Sequence, residues 1–416
     1  MQQIFASIIT IGDELLIGQV IDTNSAFIAQ ELNKIGISIK HRIAVGDVWD
    51  DIWQALDEES KHAKIVLITG GLGPTADDIT KPLLNKYFGG KMVVDAGALE
   101  NVQNIFTKLG RPMIERNTKQ AEVPDVCRVI QNSRGTAPGM WFEKDGVIFI
   151  SMPGVPHEMK GMITDYVLHE LQKQFELPTI IHKTLLTAGV GESFLADMIQ
   201  DWEEKLPKNI KLAYLPNYGM VRLRLSAIGP DKQILEKEIL IEFKKLQNLV
   251  HEYLVTTEDE PMQNVVAKLL LEKGQTMTTA ESCTGGYIAH LITSIPGSSE
   301  WYNGSVVAYA YAAKEDFLDV SHETLVRKGA VSEEVVLQMA KGAREKMKTD
   351  YAVATSGIMG PGGGMPEKPV GTVWMAVSSK EKTIAKKFHF RYDRQRNIEM
   401  AATNALNFLR QFIAEG

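Results

Sequence analysis

The chain has 416 residues, too many for one ordinary core, and a length prior of roughly two to four domains follows. Hydrophobic residues at 44% and charged residues at 23% are the proportions of a soluble globular protein, and no apolar run is long enough to cross a bilayer. A net charge of −7 argues against binding nucleic acid through bulk positive charge; two cysteines give no disulfide framework, so a cytoplasmic location is expected.

Residues 1–175 alternate short apolar runs with helical periodicity. Ile4-Phe5-Ala6-Ser7-Ile8-Ile9-Thr10 follows no basic segment, so it reads as a first strand, 4–11, rather than a signal peptide. A helix over 23–35, a strand at 37–44, a helix over 49–60, a strand at 64–69 and a helix over 79–87 follow. That βαβα order predicts an α/β fold with a doubly wound parallel sheet. A helix over 95–109 and a strand at 146–150 come next. Pro153-Gly-Val-Pro156 then leads into a helix whose Met159, Met162 and Ile163 read as core.

The apolar run Ile65-Val66-Leu67-Ile68 reads as a buried parallel strand, and Thr69-Gly-Gly-Leu-Gly-Pro-Thr-Ala-Asp-Asp-Ile-Thr80 follows it directly. Its glycines let the backbone turn and approach a ligand, although a tight turn alone would use them too. Strand ends of open α/β sheets collect ligands, and helix N-termini there favour phosphate. Asp77 and Asp78, with Asp13 and Glu14 at the end of the first strand, make a four-carboxylate set. Such charges repel and raise one another's pKa values, a conflict that a hard divalent cation and a diphosphate would resolve. Asp22 or Thr23 equally suits a plain helix N-cap. Further on, Asn132-Ser-Arg-Gly-Thr-Ala-Pro-Gly139 offers Arg134 to a phosphate or ribose, and the proline loop presents Glu158.

Residues 176–255 read as a small α+β sandwich: strand 180–187, helix 192–203, strands 210–215 and 219–228, helix 231–250. Residues 256–416 form a second α/β unit, with strands at 276–280, 305–310, 351–355, 371–378 and 384–390 and helices over 261–273, 285–294, 332–347 and 395–413. Thr278-Thr-Ala-Glu-Ser-Cys-Thr-Gly-Gly286 lies between a strand and a helix. Ser282 or Thr284 suits an N-cap; alternatively Ser282 is a nucleophile at the bend, beside N–H groups able to hold an oxyanion. Cys283 is a rival nucleophile. Tyr309 and Lys314 come later, where strand passes toward helix, and a partly buried Lys314 would act as base, a solvated lysine being the plainer reading. Thr355–Gly364 and Lys368–Thr372 have the composition of a phosphate cradle.

Several of these segments, in order, resemble the CinA family of competence/damage-inducible proteins. They are Gly12-Asp-Glu-Leu-Leu16, Asp22-Thr-Asn24, Thr69–Thr80, Gly135-Thr-Ala-Pro-Gly139 and Pro153-Gly-Val-Pro-His-Glu158. The resemblance implies a molybdopterin-binding-like domain over 1–175, acting as a metal-dependent pyrophosphatase on ADP-ribose-like dinucleotides. It implies Asp13, Glu14, Asp22 and Asp78 as ligands of Mg, Mn or Co, with Asp77 and Asp78 catalytic. Asn24, Gly70, Gly71, Thr75 and Arg134 would bind substrate. Residues 176–255 would be the family's KH-like connecting domain, here with Gly189-Val-Gly191 in place of the Gly-x-x-Gly loop that clamps RNA.

Residues 256–416 resemble the family's C-terminal domain, a nicotinamide-nucleotide amidase that converts NMN to nicotinate mononucleotide and ammonia without a cofactor. By that resemblance Ser282 attacks the amide, and Lys314 and Tyr309 manage protons. Thr284, Gly285, Gly360, Gly362, Gly363, Thr372 and Arg394 hold the substrate. The chain departs from the family where Tyr309-Ala-Tyr311 replaces Tyr-Ser-Asn and where Ile398 replaces a second arginine after Arg394. A homodimer with no nucleic-acid or membrane partner is expected. The alternative is a nucleotide- or molybdopterin-binding scaffold with little turnover.

Overall fold

The computed structural model describes residues 3–73, 78–217 and 219–415. Thr75 and Asp77 therefore lie outside the described residues. Two compact units divide the chain: Met1–Ile181 with Ala227–Lys237, and His182–Ser226 with Glu238–Gly416.

In the first unit, β1 (Phe5–Ile11), α1 (Asp13–Leu16), α2 (Thr23–Lys34), β2 (Ser38–Val45), α3 (Trp49–His62), β3 (Ile65–Thr69) and α4 (Thr80–Phe88) alternate as their sequence periods require. A side layer follows: β4 (Met92–Val94), α5 (Ala96–Lys108), α6 (Glu115–Lys119) and β5 (Glu122–Pro124). The chain then returns to the main sheet as β6 (Arg128–Ile130), β7 (Gly139–Lys144) and β8 (Val147–Met152), and ends in α7 (Pro156–Met162), a π-helical turn and α8 (Leu168–Gln174). Strand order is β2-β1-β3-β8-β7-β6. The first four strands are parallel, whereas β7 runs antiparallel to β8 and β6. The sequence did not signal that antiparallel edge, because β6 and β7 are short and flank a glycine turn. Separate apolar layers cover the two faces, one holding Ile8, Leu67 and Ile150, the other Ile9, Val66 and Phe149. That is the burial expected of a doubly wound sheet.

The middle elements are β9 (Thr179–Ala188), α9 (Glu192–Glu203), β10 (Ile210–Asn217), β11 (Met220–Gly229), α10 (Lys232–Leu249) and β12 (Leu254–Thr256), in a sheet ordered β10-β11-β9-β12. The β-α-β-β-α order matches the sequence pattern, and β12 adds an edge strand too short to show a period.

In the second unit, α11 (Met262–Lys273), β13 (Met277–Glu281), α12 (Tyr287–Thr293), β14 (Tyr302–Val307), α13 (Tyr311–Leu318), α14 (His322–Lys328) and α15 (Glu333–Met347) precede β15 (Tyr351–Gly357), β16 (Thr372–Ser378), β17 (Thr383–His389) and α16 (Arg394–Glu415). Strand order is β14-β13-β15-β16-β17; β13 is parallel to both neighbours, and β16 and β17 are antiparallel. The expected strand 305–310 stops at Val307. There Ala308 gives its N–H to Glu281 O at 2.9 Å and its carbonyl to a lysine, so the chain leaves the sheet and turns into α13. Among the described residues no helix is long and apolar enough to cross a membrane.

Candidate functional site

In the first unit the carboxyl ends of the parallel strands open on a cavity of about 410 Å³. Two glycines allow it to form. Gly70 has φ 119°, and a Cβ there would lie 2.2 Å from Ile11 O; Gly71 has φ 64°, and a Cβ would lie 2.0 Å from the Thr80 hydroxyl. No other residue fits either position without moving backbone or the start of α4.

Four acids cluster at one end. Asp13 and Asp47 clasp each other: each backbone N–H donates to the other's carboxylate at 3.2 Å. Asp78 accepts the Gly73 N–H at 2.7 Å and closes the glycine loop. Glu14, Asp47 and Asp78 line the cavity. Burial pushes the Asp47 carboxyl above the usual carboxylate range, and the charges of Asp13, Glu14 and Asp78 push it further. Asp47 is the acid that sequence reasoning missed. Val45-Gly-Asp47 repeats Ile11-Gly-Asp13 at the end of the adjacent strand, and that repeat was the available signal.

Asp22 faces a neighbouring recess of about 120 Å³. Its carboxylate caps α2, accepting the Ser25 N–H at 2.9 Å and the Ser25 and Thr10 hydroxyls. Asn24 is buried and donates to Gly154 O at 2.7 Å and to the Thr69 hydroxyl at 3.1 Å, tying the end of β3 to the loop after β8. Arg134 does not line the cavity. Its guanidinium pairs with Asp165 at 3.1 Å and lies along Gly161 of α7. Glu158 lines the opposite wall instead, held by Asn132 Nδ2 at 2.6 Å, and burial raises its pKa.

Could this cavity hold a divalent cation? Among the described residues no group of three or more His, Cys, Asp or Glu forms a ready-made cage. The donors are nonetheless all oxygen, and their mutual repulsion is visible at Asp47. An ion that takes one to three carboxylates and completes its shell with water and substrate phosphate fits such a set.

The second site lies at the carboxyl edge of the β14-β13-β15 sheet. Glu281 ends β13 fully buried; its carboxylate accepts the N–H groups of Gly286 and Ile288 at 3.0 Å and of Ala289 at 2.8 Å. That tie folds residues 282–286 into a tight bend. Ser282 donates its N–H to Thr355 O at 3.0 Å, and Thr284 shares a 2.8 Å hydroxyl contact with Thr355. Sequence reasoning assigned Glu281 no role, although a lone charge ending an otherwise uncharged strand was a hint.

Lys314 reaches in from the first turn of α13. Its Nζ is 3.0 Å from Ser282 Oγ, 2.7 Å from Ala308 O and 3.1 Å from Tyr309 O. The side chain is 1% exposed, and burial lowers its pKa below that of an ordinary lysine. A neutral amine has two N–H donors and one lone pair. A protonated Lys314 donates to all three oxygens; once neutral, it would give its donors to the two carbonyls and turn its lone pair to the Ser282 O–H. Cys283 is buried, and burial pushes its thiol up to about 12.

Tyr309 is 63% exposed, and its hydroxyl accepts from Arg394 at 3.1 Å, away from the Ser282–Lys314 contact. Arg394 also donates to Gly360 O at 2.8 Å, so it clamps the glycine loop to the Tyr309 segment. Gly285 donates its N–H to Ser282 O, whereas Gly362 and Gly363 lie on the exposed stretch of the loop. Thr372 begins β16 at the same sheet edge, buried, its hydroxyl lacking a partner among the described residues.

With this geometry in place, similarities to known proteins are informative. Residues 7–173 match the family model described as "Probable molybdopterin binding domain", 182–255 the "Damage-inducible protein CinA KH domain", and 259–413 the "CinA C-terminal domain". A CinA-like protein of Cytophaga hutchinsonii is 46% identical over 412 residues, 99% of each chain. One from Flavobacterium psychrophilum is 47% identical over 406 residues, 97% of each. A crystal structure of a CinA superfamily protein from Klebsiella pneumoniae is 34% identical and covers 37% of this chain and 97% of its own, with a TM-score of 0.37.

Proposed function

Since the chain belongs to the CinA family, we propose that it is a two-site hydrolase of pyridine nucleotides. The rear site hydrolyses NMN to nicotinate mononucleotide and ammonia; the front site cleaves ADP-ribose-like dinucleotides with a divalent metal. The observation that carries the rear assignment is the 3.0 Å contact between Lys314 Nζ and Ser282 Oγ.

Neutral Lys314 takes the Ser282 proton as Oγ attacks the carboxamide carbon. The tetrahedral adduct collapses, the C–N bond breaks, and the Lys314 proton leaves with ammonia. Water then attacks the ester, again giving its proton to Lys314, and Ser282 is restored as the carboxylate departs. Thr284, Gly285, Thr372 and the Arg394-clamped loop with Gly360, Gly362 and Gly363 hold the rest of the nucleotide. Incubation with NMN and an ammonia assay tests this reading; release equal to that of a Ser282→Ala control defeats it.

At the front, Glu14, Asp47 and Asp78 would hold Mg, Mn or Co, with Asp13 keeping Asp47 in place and Asp22 serving α2. When bound, the cation neutralises charge on the diphosphate. Asn24, Gly70 and Gly71 shape the cleft, and Glu158 faces the substrate from the far wall. Measuring AMP release from ADP-ribose with each metal is the test, and no release with any of the three rejects it. A second reading, nucleotide or molybdopterin binding without turnover, draws on Asp13 and Asp47 being engaged with each other's amides. Tight binding without product would favour it. We take the working form to be a cytoplasmic homodimer, as the family resemblance implies; light scattering that returns a monomer mass would correct that.

A further inference from the structure

Beyond the reacting pair, one aromatic side chain is anchored near the rear site. Ser282 follows β13, which lies between β14 and β15, so Ala308 lies on one side of it and Thr355 and Ser356 on the other. Tyr311 starts α13, on the Ala308 side. Its hydroxyl accepts the Ala330 N–H at 3.3 Å, and the Ala330 carbonyl accepts the Ser356 hydroxyl at 2.7 Å. Through Ala330 the phenol is thus tied to the end of β15, while its own helix follows β14. Lys314 stands three residues further along the same helix, on the neighbouring position of its surface.

Although its hydroxyl is engaged, Tyr311 is 50% exposed. An open, flat, anchored ring one helical turn from Lys314 favours a flat aromatic partner through offset or edge-on contact. An aliphatic group gains only the buried area. We propose that Tyr311 is the specificity-determining wall of the Ser282 site, selecting substrates whose reacting centre is carried on a planar aromatic ring. The inference rests on the serine–lysine reading above and adds to it the residue that would discriminate for the ring.

The test treats the full chain with two phosphonofluoridates, one bearing a phenyl group and one a methyl group. Ser282 Oγ forms the P–O bond, fluoride leaves with the P–F electron pair, and the serine proton passes to Lys314. The readout is the phenyl-to-methyl ratio of labelling rates. In the wild type this ratio is expected to exceed that of Tyr311→Leu by roughly two- to tenfold, the range that one aromatic contact supplies. Tyr311→Phe, which keeps the ring and drops the bond to Ala330, should retain the wild-type ratio. Equal ratios in the wild type and Tyr311→Leu overturn the wall, as does a Tyr311→Phe ratio that falls to the leucine value. Labelling that survives Ser282→Ala overturns the wall and the serine reading together. Labelling at Ser282 without ammonia from NMN overturns the NMN assignment alone, and the ratio still decides the wall.

Discussion

Lys314 Nζ lies 3.0 Å from Ser282 Oγ, and it is held there by two backbone carbonyls rather than by a carboxylate. Among the described residues no carboxylate pairs with it to stabilise the ammonium, and burial is the main cause of its lowered pKa. Native Lys314 binds a proton less readily than the unfolded chain does. Ammonia release should therefore rise as pH climbs through the lowered value and level off above it. The same shift makes stability increase with pH between the folded and unfolded values, and fall as pH drops through the folded one. Lys314→Arg, which stays charged, should lose about 100-fold or more in kcat across the whole range. A flat pH–rate profile between pH 6 and pH 10 (roughly, the span over which a buried lysine titrates) would contradict this account.

Cys283 supplies a second prediction. Its buried thiol, pushed up to about 12, is not a nucleophile at neutral pH. Cys283→Ala should keep ammonia release within about threefold of the wild type, whereas Ser282→Ala should abolish it. Iodoacetamide should leave Cys283 unmodified in the native protein, as read by mass spectrometry. The reverse pattern would move the nucleophile one residue along.

Glu281 bears on stability. Replacing it with alanine strands three N–H groups of the 286–289 segment, one buried and two half-buried, and should cost about 3 kcal/mol. Glu281→Gln keeps one acceptor oxygen and should fall between. Denaturant titration of the three proteins checks the order.

At the front site, Asp47 and Asp22 should behave differently. Asp47→Asn relieves repulsion with Asp13, Glu14 and Asp78, so the metal-free protein should not lose stability. Manganese affinity and ADP-ribose hydrolysis should drop about tenfold or more, as for loss of a carboxylate near a metal. Asp22→Ala removes the α2 cap and should cost about 1 kcal/mol with a smaller effect on metal affinity. Calorimetric titration with manganese and thermal melts of both variants separate the roles.

Arg134 gives the complementary case. Because it pairs with Asp165 along α7, Arg134→Ala should leave the KM for ADP-ribose unchanged. A KM raised about tenfold would return the arginine to the substrate.

Much of this was legible in the chain. The runs Ile65–Ile68 and Met277–Glu281 carry the apolar and β-branched character of buried strands, and the glycines after them mark where each sheet edge opens. Those signals are local, so the main alternation of strands and helices and the two glycine-lined edges followed from residue types, whereas short elements such as β6, β7 and α14 did not. Side-chain partners did not. Asp22 caps α2, one of the two roles its position suggested, whereas Asp47, which sequence reasoning passed over, lines the cavity. Arg134 sits in a glycine turn suited to phosphate, and a helix far along the chain turned it aside.

The sequence by itself determined the strands, the bends and the chemically useful residue types, because periodicity and backbone freedom are properties of neighbours along the chain. Only the tertiary structure decided that Lys314 is dehydrated against Ser282, that Asp47 joins the acids, and that Tyr311 is tied to Ala330. Protonation and reach depend on what surrounds an atom in space, and those surroundings come from segments tens of residues away.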